Sequence, residues 1–122
     1  MGRAFFAALA VVLAVAVGWP VPGAAHAVLV RTSLEGAPVR PGTPTTVALR
    51  FNSALEPALS QVVLVDAHGH RRPLDVLPTG DRAEMQVSLP ALEPGSYALR
   101  YKVLAADGHV TESVVRFVVK PE

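Results

Sequence analysis

Beyond an apolar leader, the chain consists of short hydrophobic runs separated by turn residues. In most of these runs apolar side chains alternate with polar or small ones, which is the period expected of a β-strand with one buried face. The runs lie at residues 28–30, 47–51, 62–65, 85–89, 97–103 and 114–119. No sustained helical periodicity follows the leader, although residues 54–59 could form one turn that Pro57 would limit. The pattern predicts an all-β domain.

The turn signals between the runs favour a specific fold class. Proline and glycine lie together at residues 41–42, 78–80 and 94–95. Six or seven short strands with this punctuation predict an immunoglobulin-like antiparallel β-sandwich with Greek-key connections and about seven strands. Tyr97 follows Pro94 and Gly95 at the start of a late strand, which predicts a tyrosine corner with a structural role. Met85 alternates into the predicted core.

The first residues have the organisation of a secretory signal peptide. Arg3 precedes an unbroken apolar run at residues 4–17, and glycine and proline follow it. The run is shorter than the roughly 20 residues that span a bilayer. Cleavage after Ala25 would separate a signal peptide, residues 1–25, from one domain, residues 26–122, and cleavage after Ala27 fits the same small-residue rule. We therefore expect a periplasmic or extracytoplasmic protein with no membrane span in the mature chain.

Charge and cysteine content narrow the functional classes. The chain has 11 Lys and Arg residues against 10 Asp and Glu residues, and the excess cation, Arg3, would be lost with the leader. No run of basic residues indicates binding to nucleic acid or anionic lipid. The chain contains no cysteine, so an exported domain must be held together by its core without disulfides.

The most suggestive chemical motif is Asp107-Gly108-His109. In an extended segment the first and third side chains point the same way and could converge on one ion, with Gly108 letting the backbone pass close by. Asp-Gly is also a common turn pair, so a plain turn is the alternative interpretation. The tripeptide alone does not decide between them.

His26 changes the balance because cleavage after Ala25 would make it the first residue. A free α-amine has a pKa of about 7.7 to 8.0 and loses its proton far more readily than lysine. The amine and the adjacent imidazole could then chelate one metal ion, and His109 and Asp107 would add a third nitrogen and an oxygen. Tetragonal nitrogen and oxygen ligation favours Cu(II), whereas zinc prefers a tetrahedron.

These features resemble the CopC-like copper resistance proteins, which are small exported β-sandwiches. The resemblance rests on the start at His26, the strand at residues 47–51, the corner at residues 92–97, the segment at residues 101–109 and the closing strand at residues 117–119. It implies one Cu(II) per chain bound by His26, Asp107 and His109, with no catalytic residue and no enzymatic activity. It also implies a role in copper sequestration, resistance or delivery to a membrane copper transporter of the CopD type.

Two ligand sets found in some members of that family are missing here. A further acidic ligand would fall near Ser53, and Glu56 is the nearest carboxylate. A methionine-rich loop for Cu(I) would correspond to residues 66–77, which contain no methionine. His68 and His70 lie in that stretch and could form a secondary surface site, but we interpret them as solvated turn residues.

Two alternative functions remain open at the level of sequence. An N-terminal histidine chelate on copper is also the core of polysaccharide monooxygenases, but those enzymes need an exposed substrate face. The aromatic residues after the leader are instead assigned to strand cores: Phe51, Tyr97, Tyr101 and Phe117. The other alternative is an interaction module that binds no metal, in which the position of His26 is accidental.

Overall fold

A computed structural model of the chain describes residues 27–122. The predicted leader, the candidate cleavage site after Ala25 and His26 lie outside the described residues. Within them the chain forms eight strands. These are β1 (Leu29–Thr32), β2 (Thr45–Phe51), β3 (Gln61–Asp66), β4 (Arg71–Leu74), β5 (Val76–Pro78), β6 (Glu84–Leu89), β7 (Gly95–Leu104) and β8 (Val110–Val119).

The strands form two antiparallel four-stranded sheets with the orders β1-β2-β6-β5 and β4-β3-β7-β8. The chain crosses between the sheets after β2, β4 and β6. All pairings are antiparallel, and the longest runs through ten residue pairs from Gly95↔Val119 to Leu104↔Val110. The predicted all-β, immunoglobulin-like antiparallel sandwich is confirmed, with eight strands where about seven were expected.

The core lies between the sheets and consists of the side chains that the alternating pattern points inward. Leu49, Met85 and Leu99 are fully buried, as the pattern predicts. The rings of Phe51 and Tyr101 join the two sheets through an edge-to-face contact with centroids 5.5 Å apart. Such burial of large apolar side chains contributes most of the stability of a domain that has no disulfide.

A tyrosine corner and two short 3₁₀ turns connect the strands. The Tyr97 hydroxyl donates a 2.7 Å hydrogen bond to the Glu93 carbonyl, which confirms the predicted tyrosine corner. A short 3₁₀ turn occupies Ser33–Glu35, and a second occupies Pro57–Leu59 with Pro57 at its first position. The second is the single turn expected between residues 54 and 59. Residues 27–122 include no helix with the length and apolarity needed to cross a bilayer.

Candidate metal-binding site

Asp107 and His109 lie in the turn that connects β7 to β8. The Ala105 amide donates to the His109 carbonyl at 2.8 Å, and the Gly108 amide donates to the Ala105 carbonyl at 2.9 Å. Gly108 has a φ of +96°, a conformation that residues with a Cβ atom rarely adopt. The segment is therefore a tight turn and not the extended strand that would align residues i and i+2.

The turn nevertheless brings the two side chains together. The carboxylate oxygen Oδ1 of Asp107 accepts the His109 backbone N–H at 3.1 Å and lies 3.1 Å from the ring atom Nδ1 of His109. The backbone hydrogen bond, followed by the contact with the ring, holds the pKa of Asp107 below its ordinary value. Asp107 is thus an anion at neutral pH, as a metal ligand or the partner of a metal-bound imidazole must be.

The ring contact also bears on the tautomer of His109. A neutral ring that donates Nδ1–H to Asp107 carries its lone pair on Nε2, the form in which imidazole binds metals. Both side chains are about half exposed, at 54% for His109 and 46% for Asp107. An ion could therefore reach this pair directly from solvent.

The loop that follows β2 joins this turn to the beginning of the described chain. The Ala54 carbonyl accepts the Ala106 amide at 2.9 Å, and Leu55 forms an antiparallel bridge with Ala105. Two residues earlier, Asn52 binds Val28 through its side-chain oxygen Oδ1, at 2.8 Å from the Val28 amide. The Asn52 amide donates back to the Val28 carbonyl at 3.0 Å.

These contacts fasten the chain where it enters β1. Val28 is held at both backbone atoms by Asn52, and Ala27 is fully buried. The first described residues and the Asp107-Gly108-His109 turn are thus attached to one short loop, residues 52–55. Sequence reasoning did not identify Asn52, because a loop asparagine carries no periodic or motif signal.

The nearby carboxylate of Glu56 is engaged elsewhere. Its Oε1 atom accepts from the Arg82 guanidinium at 2.9 Å. The Ser53 hydroxyl is buried and has no hydrogen-bond partner among the described residues. A serine at position 53 has no carboxylate to act as the additional acidic ligand. The nearest carboxylate, that of Glu56, already has a cationic partner in Arg82.

His68 and His70 lie at the other end of the sheet, in the turn between β3 and β4. That turn follows Asp66, which pairs with Tyr97 near the start of β7, whereas the Asp107 turn follows the end of β7. Asp66 organises it, because its Oδ1 atom accepts the amides of His68 and His70 at 2.9 Å. The two imidazole centroids are 6.0 Å apart.

The described residues contain part of the predicted metal site. Asp107 and His109 adjoin each other as expected, and His26 lies outside the described residues. No group of three or more His, Cys, Asp or Glu side chains suited to hold a metal occurs within residues 27–122. The core assignment of the aromatic residues agrees with the structure: Phe51 and Tyr101 are buried, and Tyr97 and Phe117 stack on each other against the core.

A model of the CopC domain matches residues 29–120, which is most of the chain and all of the sandwich. The chain belongs to the CopC family. Membership makes it a copper-binding protein of the copper-resistance type, and it confirms the resemblance carried by the strand pattern and the residues 101–109.

Solved structures agree with this assignment. CopC from Methylosinus trichosporium OB3b is 31% identical, with a TM-score of 0.69 over 80% of this chain and 96% of that one. PcoC, a methionine-rich copper resistance protein from Escherichia coli, is 23% identical, with a TM-score of 0.61 over 79% of this chain and 100% of that one. The second likeness concerns the fold alone. None of the curated proteins matches the chain.

Proposed function

We propose that this CopC-family protein is exported, is cleaved after Ala25, and binds one Cu(II) ion through His26, Asp107 and His109. The α-amine and the imidazole of His26 would supply two nitrogens, His109 a third, and Asp107 a carboxylate oxygen. Cu(II) favours such a tetragonal nitrogen and oxygen set. The copper is cargo here, and the protein carries out no catalytic step on it.

The observation that carries the proposal is the shared attachment of two distant segments to residues 52–55. Val28 is bound to Asn52, and Ala106 is bound to Ala54. His26 precedes Val28, the residue bound to Asn52, by two positions. Because consecutive Cα atoms are about 3.8 Å apart, the backbone of His26 must begin close to that contact. This arrangement supports convergence of a residue at position 26 with the Asp107-Gly108-His109 turn.

The charge of the donor set also suits a divalent cation. Asp107 keeps its negative charge because hydrogen bonds from His109 lower its pKa. The carboxylate would offset part of the metal charge, and it also orients the His109 ring. The mature chain contains no other methionine than Met85, which is fully buried, so a soft thioether site for Cu(I) is not expected.

The half-exposed turn suits transient carriage. A copper ion held at the surface of the sandwich, at the turn of the β7–β8 hairpin, could be taken up from solvent and passed to another protein. We propose a periplasmic or extracytoplasmic location, with sequestration of copper or its delivery to a membrane transporter of the CopD type. The chain acts outside the cytoplasm only if residues 1–25 direct export.

The decisive test is to block the α-amine while leaving every side chain in place. Protein that begins at His26 is compared with protein that carries one extra alanine before His26. We expect Cu(II) affinity to fall by at least about 100-fold, since loss of an outer-sphere partner alone often weakens metal binding 10- to 100-fold. Electron paramagnetic resonance of the Cu(II) form should show one nitrogen fewer.

A matched control carries the extra alanine after Glu122 and should bind Cu(II) like the unmodified protein. His109→Ala should also weaken binding, with the loss of an imidazole nitrogen from the spectrum. Equal affinity and an identical spectrum with and without the N-terminal alanine would refute the assignment of His26. A mature N-terminus at Val28, measured by intact mass of the secreted protein, would do the same.

A further inference from the structure

The outer surface of the β4-β3-β7-β8 sheet carries a group of cations that no single stretch of sequence contains. Four basic side chains from three strands line one recess: Arg71, Arg100, Lys102 and Arg116. The register explains the grouping, because Val65 pairs with both Arg71 and Ala98, and Ala98 pairs with Arg116. We call this surface the basic face.

The floor between these cations is apolar. Val63 and Val65 of β3, Ala98 of β7 and Val114 of β8 are partly exposed and lie on the outer side of their strands. The recess has a volume of about 500 Å³ and is open to solvent. A second recess continues it past Arg116 towards Val118, which is 56% exposed.

The positive charge of the basic face is only partly compensated within the described structure, where Glu112 pairs in register with Lys102. None of the ion pairs found in residues 27–122 involves its four cations, and Glu112 is the one acidic residue that lines the recess. Arg50 on the other sheet differs, since it is paired with Asp81 and Glu84. A neutral mature chain thus presents one face with excess positive charge.

We propose that the basic face binds an extended acidic segment of another protein, in which the side chains at every second position, those that face the sheet, are alternately carboxylate and apolar. The arginines would bind the carboxylates, for which the planar guanidinium fork is well matched, and the valines would receive the apolar side chains. An extended chain presents every second side chain to one surface, so carboxylate and apolar side chains that alternate among those positions match the alternation of cationic and apolar positions across this sheet.

The recess favours a polypeptide over a lipid surface. Val63 and Val65 are partly covered and lie below the flanking cations, so a planar bilayer would contact the cations and leave the apolar floor unfilled. A second copy of this chain fits less well, since Glu84, the one acidic residue in the strands of its other sheet, already lies 3.9 Å from the Arg50 guanidinium. The proposal does not depend on copper, because the basic face shares no residue with the candidate metal site.

The test uses the exported, processed protein without copper and a synthetic octapeptide in which glutamate and valine alternate at every second position, with serine between them. Amide chemical shifts should change along the outward positions of β3, β7 and β8. The double variant Arg100→Gln with Arg116→Gln should weaken binding by about tenfold or more, as expected for arginine contacts at the centre of an interface. Binding should also weaken as salt is raised.

Controls separate a specific site from general attraction. Arg31→Gln with Arg72→Gln removes the same charge from exposed positions outside the recess and should change the affinity by less than about threefold. The same octapeptide with lysine in place of each glutamate should not bind. The proposal is overturned by equal losses in the two double variants, by shifts on another surface, by preferential binding to phosphatidylglycerol vesicles, or by a dimer that buries the basic face.

Discussion

The Oδ1 atom of Asp107 makes two contacts with His109, one with its backbone and one with its ring. It closes the β7–β8 turn by accepting the His109 amide, and it contacts the imidazole of the same residue. The i, i+2 spacing predicts that the two side chains approach, and they do. The sequence left a turn as the alternative to an extended segment and could not decide between them, because the turn depends on Gly108 at positive φ and on the bond from Ala106 to Ala54, a residue far away in sequence.

Asn52 offers a prediction at the same scale. Asn52→Ala removes the acceptor for the Val28 amide, so the segment entering β1 should loosen and reach the Asp107 turn less often. We expect Cu(II) affinity to fall by about tenfold, with a stability loss of about 1 kcal/mol. Calorimetric titration with Cu(II) measures the first, and urea unfolding measures the second.

The control for that variant is Tyr97→Phe, which loses one hydrogen bond at the opposite end of β7. It should bind Cu(II) as tightly as the unmodified protein despite its lower stability. If the two variants lose affinity equally, the effect of Asn52 is only a general loosening of the fold.

At the scale of elements, the hydrophobic pattern identified the four strands that pair on both sides, together with β1 and part of β8, and missed β4 and β5. β2, β3, β6 and β7 lie inside their sheets, and their buried faces impose a period of two. β4 and β5 lie at sheet edges and contain Pro73 and Pro78. Proline is tolerated in edge strands, where one side makes no ladder hydrogen bonds, but it hides such strands from pattern analysis.

The tyrosine corner provides a stability prediction for the entry to β7. Tyr97→Phe keeps the stacking on Phe117 but removes the 2.7 Å bond to the Glu93 carbonyl. We expect a loss of about 0.5 to 1.5 kcal/mol in the free energy of unfolding. Tyr101→Phe is the matched control, since no hydrogen bond of the Tyr101 hydroxyl is found within residues 27–122, and it should cost less. An equal loss in both variants would show that the corner bond contributes nothing specific.

The ion pair between β2 and the residues before β6 predicts acid sensitivity. The hydrogen bond from Arg50, and then the bond from the Ala83 amide, lower the pKa of Asp81. Its folded pKa lies below the unfolded value of about 3.9, so the stabilisation is present above that value and is lost as the pH falls through the folded pKa.

Unfolding in urea at about pH 7 and about pH 2.5 checks this. The unmodified protein should lose more stability on acidification than Asp81→Asn does. Asp75→Asn serves as control, because the Asp75 side chain forms no ion pair in the described part of the chain, and it should follow the unmodified protein. Identical acid curves for the unmodified protein and Asp81→Asn would contradict the expectation.

At the scale of the whole molecule, the sandwich separates its surfaces by chemistry. One end carries the Asp107 turn, the opposite end carries His68 and His70, and the outer face of one sheet carries the basic face. The architecture followed from the spacing of apolar residues, as did the core positions of Met85 and Phe51. The basic face could not be predicted from that spacing, because Arg71, Arg100 and Arg116 become neighbours only through the register of the strands.

Copper binding should stabilise this whole molecule by mass action. A ligand that binds only the folded state, at 100 times its Kd, adds about 2.7 kcal/mol to the free energy of unfolding. For a domain of this size, that corresponds to a rise in Tm of about 10 to 20 °C.

The chain contains no cysteine, so ascorbate can convert Cu(II) to Cu(I) without reducing a disulfide. Calorimetric scans should therefore show a large rise with Cu(II), little rise with copper plus ascorbate, and little rise for the variant with alanine before His26. A comparable rise in all three would mean that copper stabilises the sandwich through groups other than the α-amine of His26, with His68 and His70 as the first to replace by alanine.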